Sequence, residues 1–563
     1  MTPIVGIYGI QDRQDDPYPL ETHDHALSRI EGGHVVRHLA LERWTRRRHD
    51  NRLPAHIEGL APTLEFLQRG EEAVLACADS FVGRAFISHG GRWRIEAPLA
   101  DGLSARPERA TAHVMGSRVE CWVVPHELAH IASSLPFLGA WDDDTLLIHV
   151  DGAASQSNCS AWSWKDGELV LLHHGWELSD SVAGYATNNL AQALVGHSWK
   201  TFLGVPGKLM GLAAWGTPDL GITEWLESHR WFASLRGGTG AFEDAARLEL
   251  GWQGQLVPED TLVQTIAACF QSRFEEAVAG YVGRFAEVTK ARNLVLAGGG
   301  ALNLPSNQRL ADSGWFDQVF VPPCAGDDGL ALGAAALLSF LRHGPLQVHS
   351  PFLSDVGVPR GLDDREDSPR VVADAIAAGR TVATCLGAAE VGPRALGHRS
   401  LLVRPTKEDA RRLSCGLKGR ESWRPVAPLV LAELADDLFE GNPSRTPLAR
   451  YMLGRFTARP LAFETAPGTI HVDGTARVQV VGDCPELKAV RAMLQILWER
   501  HEIRCVVNTS FNLRGKPLVQ TLEDGRRVAR ALGVDFLWHS GGVEAVSSPE
   551  ERVGGSQALE NLP

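Results

Sequence analysis

The stretch Asn293-Leu-Val-Leu-Ala-Gly298-Gly-Gly300-Ala-Leu-Asn303 decides the fold: four apolar residues, a glycine turn and a helix start read as a buried strand feeding a helix. Upstream, Thr145 to Val150 reads as a strand that ends at Asp151-Gly152. Glu120 to Pro125 is strand-like and runs straight into His126-Glu-Leu-Ala-His130-Ile-Ala, which has helical spacing. Ile4 to Tyr8 opens the chain as another apolar run. Strands and helices alternate, so the fold class is α/β.

At 563 residues the chain is too long for one ordinary core. Between His343 and Arg370 it turns rich in Pro, Gly and Asp, with Pro345, Pro351, Pro359 and Pro369 interrupting any regular element. The boundary is placed there, giving segments 1–345 and 346–563. The second segment alternates again, with strand-like runs at Thr381 to Cys385 and Ile503 to Val507 and a helical one at Val490 to Glu499. The Arg-rich stretch Glu42 to Asp50 reads as a solvated turn or helix end, and roughly the last 20 residues as loose.

The net charge is −13, which disfavours a nucleic-acid partner because phosphate neutralisation needs clustered Lys and Arg. Nine cysteines, an odd number without a Cys-x-x-Cys pair, fit reduced thiols. No run approaches the roughly 18 apolar residues of a spanning helix, and the first residues lack a basic leader, so a cytoplasmic protein without membrane contact is expected. The 16 tryptophans are read as core filling.

His126 and His130 are four apart, which on a helix places both imidazoles on one face within reach of a common ion. In Cys324-Ala-Gly326-Asp327-Asp328-Gly329 a small-residue loop delivers a carboxylate just before a helix. Two histidines and a carboxylate suit a divalent transition metal with open positions, against a plain Asp-Gly turn as the alternative. Asp151-Gly152 and Gly298-Gly299-Gly300 resemble places where backbone amides face phosphate or adenosine.

From Arg394 to Arg424 nine Lys or Arg residues stand against three acidic ones, interleaved with Gly and Pro that fix backbone shape. Arginine forks on a fixed backbone are how proteins hold phosphates. Farther on, Asn508-Thr-Ser-Phe-Asn512 follows the strand Ile503 to Val507 and offers amides and hydroxyls to phosphate or a carbamoyl amide.

In order, His-x-x-x-His, Val150-Asp-Gly152, Gly207-Lys-Leu-Met-Gly-Leu-Ala-Ala-Trp-Gly216, the Gly298 to Asn303 turn, Gly326-Asp327-Asp-Gly, Glu390-Val-Gly-Pro-Arg394-Ala-Leu-Gly-His-Arg399-Ser and Asn508-Thr-Ser-Phe-Asn512 resemble the nodulation-protein-U, cephalosporin and tobramycin carbamoyltransferase family, from about residue 23 to about 525. The resemblance implies a duplicated actin/sugar-kinase-like (ASKHA) first domain, similar to the tRNA threonylcarbamoyl transferase core, followed by a YrdC-like domain.

By that resemblance His126, His130 and Asp327 hold the metal, while Asp151, Gly152, Gly298, Gly299, Gly300 and Asn303 line a nucleotide. Arg394, Arg399, Lys418, Arg420, Arg424, Asn508, Thr509 and Ser510 surround ATP and carbamoyl phosphate. His23 and Asp24 match the family's early His-Asp and stand with Arg394 as catalytic candidates; Lys208 is structural. Implied cofactors are ATP with Mg2+ and a divalent metal, Fe2+ first, with Mn2+ or Zn2+ also fitting the ligand set. Implied partners are carbamoyl phosphate and a hydroxylated small molecule, such as a specialised metabolite or antibiotic, in a monomer or homodimer. The implied reaction is formation of a carbamoyl-adenylate and transfer of its carbamoyl group to a hydroxyl. A threonylcarbamoyl-type tRNA-modifying enzyme is the alternative. This chain departs from the family's pattern at His398, Trp423 and Ala153-Ala154.

Overall fold

A computed structural model describes residues 2–10, 22–68, 70–80, 83–97, 102–233, 239–356 and 367–546. Pro359 of the Pro-rich stretch and the final 17 residues, expected to be loose, lie outside them.

The first sheet contains β1 (Ile4–Tyr8), β2 (Ala26–Glu31), β3 (His34–Ala40), β4 (Val74–Ala78), β5 (Ala85–Ile87), β6 (Trp93–Glu96), β7 (Glu108–Val114) and β8 (Ser117–Val124). Its order is β3-β2-β1-β4-β8-β7-β6-β5, with β2 and β3 antiparallel neighbours and β1, β4 and β8 parallel. The second holds β9 (Thr145–Val150), β10 (Cys159–Lys165), β11 (Glu168–Gly175), β12 (Asn293–Ala297) and β13 (Gln318–Phe320) in the order β11-β10-β9-β12-β13. Here too the first hairpins are antiparallel and β9, β12 and β13 parallel. One five-strand pattern of order and sense is therefore used twice, which is the duplicated actin/sugar-kinase-like architecture expected.

The strands form where the chain can be covered on both faces. β1 and β9 are buried at every residue, as parallel strands between helical layers must be, which is why they read as unbroken apolar runs. Between the sheets lie two helices. Leu330–His343, buried from Leu330 to Phe340, covers β1, β2 and β4, and His126–Ala132 lies against β9 and β12. The two helices touch backbone to backbone: a Cβ on Gly333 would stand 1.8 Å from the Ala129 carbonyl oxygen, and one on Gly6 of β1 would stand 1.9 Å from that of Ala331.

The third sheet takes its strands from the C-terminal part: β14 (Val382–Cys385), β15 (Ser400–Val403), β16 (Ala427–Leu431), β19 (Gln479–Val481), β20 (Cys505–Ser510), β21 (Phe536–His539) and β22 (Gly542–Ala545). Two-residue strands β17 (Phe456–Thr457) and β18 (Thr475–Ala476) pair separately. β20 starts later than expected and continues through Asn508, Thr509 and Ser510, because β15 and β16 pair with it from both sides. The asparagine-threonine-serine run thus belongs to the strand and does not follow it.

The Arg-rich stretch corrects the sequence reading. Leu41–Thr45 is a short helix, and Arg43 is buried, donating to the carbonyls of Glu390 and of Gly392, the latter at 2.6 Å. Arg46 donates to Leu518 O and, at 3.0 Å, to Pro517 O. Side chains expected in solvent instead satisfy carbonyls of the second half, because buried backbone oxygens need donors that the adjoining loops do not supply. Lys208 also crosses over, 2.7 Å from Glu421, and one apolar cluster runs from Ile4 to Trp538.

The Gly333→Ala variant tests the helix contact. Overpacking of a rigid backbone contact is expected to destabilise by about 2 kcal/mol or more, read from chemical denaturation. Gly280→Ala, on the helix Thr261–Thr289 with no atom within 4 Å of the added Cβ, is expected to be neutral or slightly stabilising, by up to about 1 kcal/mol.

Candidate active site

The carboxyl ends of the parallel strands converge, and each delivers a polar residue where open α/β sheets place their ligands. β1 ends at Tyr8, β4 is followed by Asp79, β8 by the helix bearing His126 and His130, and β9 by Asp151. The helix His126–Ala132 has no side-chain cap of its own; Asp79 supplies one by accepting the His126 N–H at 2.6 Å. Burial, then the nearby Glu127, pushes the Asp79 carboxyl up to about 6. Buried Glu127 accepts from Ser155 and Ser157 at 2.9 and 3.0 Å and from Gln156 N at 2.8 Å, fixing the loop after Asp151.

His126 Nε2 and His130 Nε2 are 3.0 Å apart, at 3.7 and 3.5 Å from Asp327 Oδ1. Their other ring nitrogens face carbonyl oxygens, Nδ1 of His126 that of Asp79 at 3.3 Å and Nδ1 of His130 that of Ala325 at 3.0 Å. Those partners only accept, so both Nδ1 atoms carry protons and both Nε2 lone pairs turn toward each other and the carboxylate. Three lone pairs converging in a buried site fit a divalent cation. Tyr8 donates to Asp327 Oδ2 at 2.7 Å and orients it. Burial favours a neutral Asp327, but the charge of nearby His23 opposes it, and the carboxyl is held well below its usual range.

Asp151 Oδ2 is 3.5 Å from His130 Nε2, so the structure places Asp151 beside this cluster. Its carboxylate accepts from Gly152 N and Gly299 N, which ties the two glycine turns together. Gly298, at φ 95°, presses against the Val150 carbonyl where no Cβ fits. Asn303 is elsewhere: it caps the helix Leu304–Ala311 through Ser306 N at 3.1 Å and pairs with Gln271 in both directions. Its side-chain amide is engaged there, away from the histidines.

His23 Nδ1 lies 2.8 Å from Asp24 and 3.9 Å from Asp327, and Asp24 is also 3.0 Å from His49 Nδ1. Burial lowers the proton affinity of His23, but the charge of Asp327 and the contact with Asp24 raise it overall, to about 10. His49, hidden in the Arg-rich run, was not singled out from sequence.

A cavity of about 380 Å³ opens where the second half meets the helices Val205–Ala213 and Thr261–Thr289. Arg394, Arg420, Arg424, Asn508, Thr509 and Ser510 line it, as does Arg477, which the sequence reading missed because it stands alone among uncharged residues. Arg420 donates to Ser510 Oγ at 3.1 Å. Burial, then Arg424, lowers Arg394 to about 10, and burial, then Arg424, lowers Arg420 to about 9. Arg477 falls well below its usual value, first by burial and then by Arg394, Arg420 and Arg424. Among the described residues, the buried Nε atoms of Arg394 and Arg477, Asn508 Oδ1 and Thr509 Oγ1 have no hydrogen-bond partner. Crowded cations beside orphaned polar atoms call for an anion with both acceptors and donors.

Two expected members of this wall stand apart from it. Arg399 is fully buried, with its guanidinium on the carbonyls of Leu386, Gly387, His398 and Gln520. A planar fork satisfied by fixed carbonyls has no donor left for substrate, so Arg399 shapes the loop. Lys418 stands behind the lining, donating to Ser510 O, to Ser510 Oγ at 3.0 Å and to Asn512 Oδ1 at 2.7 Å. It holds the strand end, and does not itself border the cavity.

A duplicated α/β core with a convergent ligand cluster is thus joined to an Arg-lined cavity suited to an anion. Residues 114–336 match the family described as carbamoyltransferase N-terminus, and residues 373–543 match carbamoyltransferase C-terminus. Nodulation protein U of Rhizobium tropici is 30% identical over 448 residues, spanning 70% of this chain and 74% of that protein. Nodulation protein NolNO of Sinorhizobium fredii is 27% identical over 552 residues, 89% of this chain and 76% of that one. Among solved structures, full-length HypF in the phosphate- and nucleotide-bound form aligns with a TM-score of 0.31 at 14% identity, over 62% of this chain and 56% of its own. The chain belongs to the carbamoyltransferase family. The expectation of an O-carbamoyltransferase enzyme is borne out with it. Among the described residues, no helix is long and apolar enough to cross a membrane.

The cavity reading predicts anion binding without catalysis. Inorganic pyrophosphate is expected to raise the melting temperature of the wild type, and Arg477→Ala to weaken its binding about 10-fold or more, the loss of one charge-assisted contact, measured by calorimetric titration.

Proposed function

We propose that the enzyme makes a carbamoyl-adenylate from carbamoyl phosphate and ATP in the Arg-lined cavity, and transfers its carbamoyl group to a hydroxyl of a small molecule beside the His126, His130 and Asp327 cluster. The observation that carries this reading is the cavity: five half-buried arginines, Arg394, Arg420, Arg424, Arg455 and Arg477, face two acidic residues, Glu275 and Asp473, within an acidic protein, with donors and acceptors among the lining atoms that find no partner among the described residues. On this reading residues 346–563 are a YrdC-like adenylate-forming domain, and residues 1–345 the transfer domain.

Loss of phosphate from carbamoyl phosphate, with water supplying the oxygen, leaves carbamate. A carbamate oxygen attacks the α-phosphorus of ATP, the bond to the bridging oxygen breaks, and pyrophosphate departs. Arg394, Arg420, Arg424 and Arg477 offset the charge that gathers on the meeting phosphates, an effect that a dry cavity strengthens. Asn508 and Thr509 offer an amide oxygen and a hydroxyl to the carbamoyl nitrogen, while Ser510, held by Lys418 and Arg420, keeps the strand edge in place.

In the transfer step the acceptor oxygen attacks the carbamoyl carbon and AMP leaves with the bonding pair of the anhydride. The hydroxyl proton passes to the His23–Asp24 pair: Asp24 accepts it while His23 is protonated, and His23 accepts it once a cation on Asp327 offsets the charge that raises the imidazole's proton affinity. A divalent ion on His126, His130 and Asp327, with Asp151 adjoining, would supply Lewis acidity, and the donor set admits Fe2+, Mn2+ or Zn2+. An antibiotic or another specialised metabolite belongs to the class of acceptor proposed.

Partial reactions test the division of labour. Arg394→Ala is expected to cut carbamoyl-phosphate-dependent pyrophosphate release about 100-fold or more, the scale of losing one preorganised charge partner. His126→Ala is expected to leave that release within about threefold while abolishing the carbamoyl mass gain on an acceptor, since it removes nothing from the cationic cavity. Equal loss of both partial reactions in His126→Ala overturns the scheme.

A further inference from the structure

The duplication leaves one sheet edge covered and its counterpart bare. β3 and β11 hold the same outer place in the two five-strand patterns, and both are bulged: Val36 and Leu172 are passed over in the pairing with β2 and β10. Along β3 the chain covers its own edge. Val35 N donates to His349 Nε2 at 3.1 Å, Gln347 N donates to Gly33 O at 3.0 Å, and Arg37 pairs with Asp355 at 2.6 Å. The first residues of the second half thereby occupy an edge whose backbone groups would otherwise invite another strand.

β11 has no such cover. The position equivalent to Val35 is Leu171, and among the described residues no group outside the sheet hydrogen-bonds to the main chain from Glu168 to His174. Leu169 and Leu171 pack on the core, while Glu168, Val170, Leu172 and His174 are exposed, Val170 at 46% and Leu172 at 36%. Trp176, just past the strand, is 49% exposed.

The order of the four exposed residues indicates what pairs there. Along the strand they run acid, apolar, apolar, imidazole. A second copy laid antiparallel about a two-fold axis at Leu171 sets Glu168 against the partner's His174 and Val170 against the partner's Leu172, each twice over. Two apolar contacts then fill the middle and a carboxylate meets an imidazole at either end, the cross-strand pairs that stabilise sheets. A strand with one sign of charge at both ends would repel its own copy.

We propose that β11 is the surface through which two copies of this chain associate, edge to edge and antiparallel, joining their five-stranded sheets into one continuous sheet. The pairing depends on neither the metal nor the cavity reading.

Sedimentation equilibrium of the full-length protein from about 1 to 200 µM tests it. Wild type is expected to pass from monomer to dimer as concentration rises, and a monomer throughout overturns the proposal. Leu172→Lys sets a charge against the partner's Val170 and is expected to weaken association about 10-fold or more, with an unchanged melting temperature showing that the fold is kept. A dimer of unchanged affinity overturns the proposal, since another face then holds the copies together. Two charge variants read the register. Glu168→Arg alone and His174→Glu alone are each expected to associate more weakly than wild type, and an equimolar mixture of the two more tightly than either, because the mixed pair restores a carboxylate facing a cation or an imidazole at both ends. A mixture no tighter than the single variants overturns the pairing about Leu171.

Discussion

The contact on which the rest depends is the crossing of the helices Leu330–His343 and His126–Ala132 between the two sheets. Without side-chain atoms on Gly333 the backbones meet, and with none on Gly6 the first helix sits directly on β1. That closeness brings Asp327, at the entry of one helix, to the histidines on the face of the other. A wider crossing would leave two histidines and a carboxylate on separate elements, with no shared ion. The same crossing sets the strand ends that carry Tyr8, Asp79 and Asp151 around a common point.

The electrostatics of the two centres are opposed. Around His126 the lone pairs of imidazole and carboxylate converge and favour a cation. In the cavity, half-buried arginines lose proton affinity first to desolvation and then to one another, and favour an anion. Each is unfavourable without a partner of opposite charge, since neither like charges nor unmatched lone pairs gain from burial. Such strain is characteristic of sites shaped to stabilise something that arrives later. A net charge of −13 over the whole chain makes the local reversal in the cavity a matter of placement, not of composition.

The two halves are held together by specific polar contacts as well as by an apolar core. Arg43 and Arg46 satisfy carbonyls near both motif-bearing loops of the second half, Lys208 pairs with Glu421 beside Arg424, and Trp215 donates to Trp423 O at 3.0 Å. His398 shows the same economy of donors, its two ring nitrogens 2.7 and 2.9 Å from the carbonyls of Ala388 and Glu486. These contacts fix the wall of the cavity that neither half builds alone.

By itself the sequence determined the elements whose period is local: β9 at Thr145–Val150, β12 before its glycine turn, the helix that presents His126 and His130, and the motifs that mark the family. Burial on both faces writes itself as an apolar run, and one helical turn brings residues four apart to the same side, so neither needs knowledge of distant chain. Tertiary structure alone decided which charged groups stand together. Arg477 joined the cavity, while the side chains of Arg399 and Asn303 bond within the protein. Lys418 moved behind the strand, Asp151 to the histidines, and the Arg-rich run of the first half from solvent to an internal clamp. The physical reason is that a guanidinium, a carboxylate or an imidazole is chemically the same wherever it stands; whether it binds substrate or a backbone carbonyl depends on which acceptor the folded chain leaves within about 3 Å of it.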